Sequence, residues 1–278
     1  MRNFFLLIAL VLATVFKATA GLAEVHETKP SQVDQNILAV IFSGAESLHY
    51  VVTWSGGVKI GDITMTIQRE STKPDAFAIA AKITDAGPLE VLYPVDDTFT
   101  CLVSGPMKLP YRYTVHQKEG FGREIHRLTR YDQANHVVWY QKNKEGEQQF
   151  EIAGTTYNEF ASFIITRALV FQEQQPIVVP TFADKKRHEV KVTAVRQEKK
   201  ATLFGNKETL VVQPQMQFKG LYEKSGNTTL WLTDDRCRVP VEIHSKIVIG
   251  SLVAELVEYT NPACPELAPV LVAEPARK

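Results

Sequence analysis

The chain has 278 residues, 45% of them apolar and 22% charged, which excludes disordered and fibrous classes and suits one large domain or two small ones. Lysine plus arginine and aspartate plus glutamate each number 31, so no basic excess exists to neutralise nucleic-acid phosphates. Three cysteines are too few for a disulfide-dense scaffold or a four-cysteine zinc module.

Arg2 precedes an apolar run from Phe4 to Phe16, broken at Thr14, and Ala18-Thr19-Ala20 fits a small-residue cleavage site. The run is shorter than the roughly 18–20 apolar residues of a membrane span, and no later segment reaches that length. Residues 1–20 are therefore expected to be a cleaved leader. The mature chain is expected in the periplasm, without a transmembrane segment. The polar stretch that follows predicts a linker over residues 21–41.

A β-rich domain is expected over residues 42–260. Leu48, Tyr50, Val52 and Trp54 alternate with polar residues, as do Ile63, Met65 and Ile67, and Ser55-Gly56-Gly57 lies between the two runs. Side chains on a strand switch faces at each residue, so this is an antiparallel hairpin. Further strand-like runs are Phe77 to Ile83, a mixed strand holding Cys101, and Tyr111 to Val115. They continue with Gly122 to Tyr131, His136 to Gln141, Gln148 to Ile152, Glu189 to Val195 and Glu208 to Gln213. Thr228 to Thr233, Val239 to Val248 and Ser251 to Tyr259 complete the set. Ten or more short strands predict a mainly β protein: a single large antiparallel curled sheet, or half-open barrel, with one or two covering helices.

Thr156 to Phe171 predicts one such helix. Phe160, Phe163, Ile164, Ala168 and Phe171 recur at helical spacing, Thr156 and Glu159 fit a capping box, and the other side is apolar too. A helix apolar nearly all round is a buried one. Residues 261–278 form a proline-rich tail, expected to lack regular structure.

In the hairpin turning near Ile249-Gly250, antiparallel register sets Cys237 opposite roughly position 262. Cys264 is two residues away, so Cys237 and Cys264 are the disulfide candidates, and Cys101 is left over as a small buried residue.

Motifs of catalysis are missing: no G-x-S-x-G, Walker loop, G-x-G-x-x-G, H-E-x-x-H or C-x-x-C occurs. None of the seven histidines lies at close metal-ligand spacing to another, so no metal and no cofactor is expected. Asp234 and Asp235 are adjacent carboxylates, which suits a cation or acid–base work, but their place after a strand fits a turn better. Lys185-Lys186-Arg187 and Lys199-Lys200 read as solvated hairpin ends, and Asn227-Thr228-Thr229 matches a glycosylation sequon. If the sheet curls, Tyr50, Trp54, Met65, Tyr111, Tyr113 and, from the helix, Phe163 are the candidates to line its concavity.

Three segments resemble a family of exported bacterial proteins, domain of unknown function 3108. They are Ser43-Gly44-Ala45-Glu46-Ser47-Leu48-His49-Tyr50 running into Trp54-Ser55-Gly56-Gly57-Val58-Lys59-Ile60-Gly61; the helix with Ser162 and Arg167; and Trp231-Leu232-Thr233-Asp234-Asp235 with Arg238-Val239-Pro240 and Ile249-Gly250-Ser251. The helix departs from the family in its spacing. The resemblance implies an exported, β-rich protein and no assigned activity. A remoter architectural similarity is to the half-barrels of periplasmic lipoprotein carriers and of a sensor of sigma-factor regulation, which hold lipid chains inside a curled sheet.

The reading is a non-enzymatic periplasmic protein that binds an apolar ligand, a lipid or acyl chain, in a concave sheet. Two alternatives stand beside it: a cell-envelope structural or protein-interaction module with a filled core and an envelope protein partner, and a hydrolase using Asp234 or Asp235.

Overall fold

In the computed structural model the described residues are 32–73, 75–87, 93–172, 175–215, 228–246 and 250–268. The residues expected to form a leader, the sequon's Asn227 and most of the proline-rich tail lie outside them.

Among the described residues fourteen strands form one antiparallel sheet. They are β1 (Ala45–Trp54), β2 (Val58–Arg69), β3 (Phe77–Asp85), β4 (Val95–Ser104), β5 (Leu109–Glu119), β6 (Arg123–Asp132), β7 (Val137–Lys142), β8 (Gln148–Glu151), β9 (Ile177–Ala183), β10 (Lys186–Thr202), β11 (Gly205–Gln215), β12 (Thr228–Thr233), β13 (Pro240–Lys246) and β14 (Ser251–Thr260). Consecutive strands pair, β1 also pairs β14, and β8 and β9 are the two free edges. The chain thus runs outward from β1 to β8, crosses over, and returns from β9 to β14.

The edges meet through side chains rather than backbone. Phe182 of β9 packs on Phe150 of β8 at 5.7 Å and on Tyr131 of β6 at 6.2 Å between ring centroids. A sheet whose opposite edges touch without pairing is a curled, unclosed barrel. Exposed edges invite unwanted pairing, and each is blunted here. β8 has four residues. β9 carries Pro180, and the segment before the crossover helix pairs with it in parallel through Tyr157 N–H to the Pro180 carbonyl and Phe182 N–H to the Tyr157 carbonyl.

The crossover is helix α2 (Glu159–Arg167), shorter than the stretch expected from the sequence. Asn158, not Thr156, caps it, accepting from the Ala161 N–H at 2.8 Å. The bridge between Tyr157 and β9 holds residues 156–157 extended, so the helix cannot start earlier. α2 packs on β9 and on β4, which lie far apart in the sheet, as a curled sheet requires.

A second helix, α1 (Gln35–Ile41), lies inside the segment read as a linker. Asp34 caps it, and Ile37, Leu38 and Ile41 bury one face. At seven residues it is too short to show clear periodicity in a sequence. β9 was also missed, because Pro180 argues against a strand except at an edge.

Candidate functional site

β1, β3, β9 and β13 end, and β2, β4, β10 and β14 begin, at one end of the sheet, since strands alternate in direction. At this end a cavity of about 720 Å³ opens inside the curl. Ile63, Met65, Ile83, Val179, Val190, Leu230, Ile243 and Leu252 form its sheet walls. α2 forms one side, presenting Glu159, Phe160, Ser162, Phe163 and Thr166. These positions share a helical face by their spacing of three and four residues. The other face, with Ala161, Ile164 and Ile165, is buried.

Polar groups are few. Thr228, Ser245 and Lys246 stand where β12 begins and β13 ends, and Asp184 follows β9. Thr228 and Ser245 hydroxyls are 3.3 Å apart. The Glu159 side chain is 34% exposed, but to a protein-walled space rather than to open solvent. Burial pushes its carboxyl above the ordinary carboxylate range, and Arg127, 3.8 Å away, only partly opposes this.

The opposite end is closed by a buried polar knot. Arg167, the last residue of α2, donates to both oxygens of Glu46 at 2.6 and 2.8 Å, and both side chains are fully buried. Its remaining N–H groups reach the carbonyls of Arg238 and Cys237. Tyr259 and Asn261 donate to Glu46, and Asn261 also binds the Val40 carbonyl at the end of α1. Burial alone would lower the Arg167 pKa, but the Glu46 carboxylate reverses the sign and holds it above its usual value. The Tyr50 hydroxyl donates to the Pro240 carbonyl at 2.8 Å, and burial pushes its pKa far up. Cys237 and Cys264 are disulfide-bonded beside this knot, with Cα atoms 6.1 Å apart.

Of the six candidate cavity residues, Tyr50, Met65 and Phe163 line the space. Trp54 does not. It is the last residue of β1, is 44% exposed, and lies over Gly250 at the rim. Tyr111 does not either. A bulge between Leu102 and Val103 leaves it opposite no residue of β4, and it packs beneath the Lys73 ammonium at 4.6 Å. One extra residue in a strand reverses the parity of everything beyond it. Tyr113 points inward but is covered by Phe160, and faces a separate water-sized void of about 10 Å³. Phe160 and the walls from Ile63, Ile83, Val179, Ile243 and Leu252 were not singled out. Their signal was inward parity on strands not known to face one another.

Asp234 and Asp235 sit in the turn between β12 and β13, at the closed end. Asp235 accepts from the Thr233 hydroxyl and the Cys237 and Arg238 N–H groups. Asp234 meets Gln197 and Arg238. Both carboxylates are used in holding this turn. Lys199 and Lys200 lie within β10 rather than beside it, with Lys200 paired to Glu242 at 2.8 Å. Cys101 is buried against Asn158, and burial pushes its thiol pKa up. Residues apart in sequence do meet here: β5 and β6 bring His116 and His126 together with Glu124. Among the described residues this is the one group able to share an ion, and it lies outside the cavity.

The model of the family described as protein of unknown function (DUF3108) matches residues 49–257. The chain belongs to this family. Glu46, Tyr50 and Arg167, three of the residues on which the sequence resembles DUF3108, meet at the closed end. The crystal structure of a β-barrel-like protein of the DUF1849 family from Brucella abortus is similar in fold, with 9% identity, 78% of this chain and 98% of that chain covered, and a TM-score of 0.56. A candidate exported protein of YmcC-like fold from Bacteroides fragilis (9% identity, 78% and 96% covered, TM-score 0.35) and a candidate lipoprotein from Parabacteroides distasonis (10% identity, 79% and 96% covered, TM-score 0.33) are more distant. No curated protein is similar to the chain. No helix among the described residues is long and apolar enough to cross a membrane.

Proposed function

We propose that this DUF3108 protein is a non-enzymatic, exported binding protein that holds one apolar ligand of acyl-chain type in the cavity. The observation that carries the reading is the apolar-walled space of about 720 Å³, a volume typical of small-molecule sites. Open at one end, the space holds solvent until a ligand displaces it. Water finds few hydrogen-bond partners on these walls, which favours an apolar filler. Lys246, Ser245 and Thr228 at the mouth suit the ligand's anionic head. Export is supported by the leader-like start of the sequence and by the Cys237–Cys264 disulfide, which belongs in an oxidising compartment.

Native mass spectrometry of gently purified protein, followed by titration with saturated fatty acids, tests this. A single lipid-sized adduct is expected. Affinity should rise about fourfold per added CH2 until the cavity is full, because each buried CH2 contributes about 0.8 kcal/mol. Ile243→Asp, which sets a charge in the wall, should abolish uptake. A bare mass with no uptake at any chain length would overturn the proposal in favour of an interaction module.

A further inference from the structure

His116 and His126 face each other directly across β5 and β6, and Glu124 stands two residues from His126 on the same face. Tyr113 and Val115 of β5 and Thr129 and Tyr131 of β6 point inward, so these three side chains point outward from the barrel. The imidazoles stack at 4.2 Å between centroids. Both Nε2 atoms converge on one oxygen, Glu124 Oε1, at 2.8 Å for His116 and 3.2 Å for His126. Ligands of a tetrahedral ion with bonds of about 2.0–2.1 Å lie about 3.3 Å apart, so both histidine-to-carboxylate separations are already close to that value. Two imidazoles and a carboxylate suit a late first-row ion better than Ca²⁺ or Mg²⁺, which prefer oxygen alone. One group opposes binding: Lys118 Nζ, 4.0 Å from Glu124 Oε1.

We propose that His116, Glu124 and His126 form a surface site for a divalent late transition ion, bound through the two Nε2 atoms and one carboxylate oxygen. Three protein ligands leave the fourth position open to water or to a group from another molecule. The site stands on the outer face, independent of the cavity and of what the cavity binds.

The test is calorimetric titration of untagged, chelator-stripped protein with Zn²⁺. One ion per chain is expected. His116→Ala and His126→Ala should each weaken binding by more than about tenfold, since loss of even an outer partner of a ligand costs 10–100-fold. Lys118→Ala should tighten it by removing the competing cation. A readout needing no variant is the imidazole proton NMR spectrum: Zn²⁺ should shift the His116 and His126 signals and leave those of His49, His136 and His244 in place. No saturable binding, or binding that survives in the His116→Ala/His126→Ala double variant, overturns the proposal.

Discussion

Glu46 and Arg167 are charged, wholly buried and satisfied on nearly every polar atom, which fixes what each substitution should do. Arg167→Met strands the Glu46 carboxylate with only Tyr259 and Asn261 as donors. Breaking a buried pair in this way costs about 3–5 kcal/mol, and urea unfolding should show a loss of that size. Replacing both partners, as Glu46→Leu/Arg167→Met, should cost less than the single change, because no charge is then left in the core. Glu159 poses the opposite case. Its folded-state pKa is raised above the ordinary 4.5, so the folded protein binds a proton more tightly than the unfolded chain does. That carboxyl therefore weakens the fold as pH rises through and above about 4.5, and has no such effect once protonated in both states. Glu159→Gln should be more stable than the parent at pH 7, with the difference fading below about pH 4; a difference that does not change with pH would show that Arg127 pairing cancels burial, and one that turns in the parent's favour as pH rises would show that it outweighs it.

At the scale of the strand and the helix, Asn158 is the decisive cap. Asn158→Ala should lower stability by about 1–2 kcal/mol, toward the upper end of the range for caps because the Ala161 N–H it leaves free is buried. Thr156→Ala should leave the helix end intact, since that hydroxyl lies against the Tyr157 and Pro180 carbonyls. The same elements show what a sequence reveals. Alternation from Leu48 to Ile67 placed β1, β2 and their turn, and Thr228 to Thr233 matches β12 at both ends. Inward residues such as Tyr50 and Met65 followed from parity alone. Tyr111 did not, because a bulge leaves no mark in an apolar–polar pattern, and Trp54 did not, because alternation does not show where a strand runs out past the rim. α1 and β9 were invisible for local reasons, a helix of two turns and a strand bearing proline. His116, Glu124 and His126 were separated by a turn whose register fixes their meeting, and that register is set by the pairing of whole strands.

The whole molecule has two unlike ends. At one, α1, the Glu46–Arg167 pair and the Cys237–Cys264 bridge tie the start of β1, the end of α2, the turn after β12 and the end of β14 into one body. At the other, where β1, β3, β9 and β13 end, the cavity opens. This division could not be read from the chain, since it depends on which way a fourteen-strand sheet curls and where its edges meet. It does make a prediction. A bridge across 27 residues of sequence stabilises by about 3.5 kcal/mol on the chain-entropy model. Cys237→Ser/Cys264→Ser should therefore lower Tm by about 7–14 °C, at the roughly 2–4 °C per kcal/mol of a domain this large. Fatty-acid affinity, measured well below the new Tm, should stay within about twofold of the parent, because neither cysteine lines the cavity and α2 keeps its cap at Asn158 and its anchor at Arg167. A large loss of affinity at a temperature where the variant is folded would mean that the closed end sets the width of the mouth, and the two ends would then have to be treated as one coupled device.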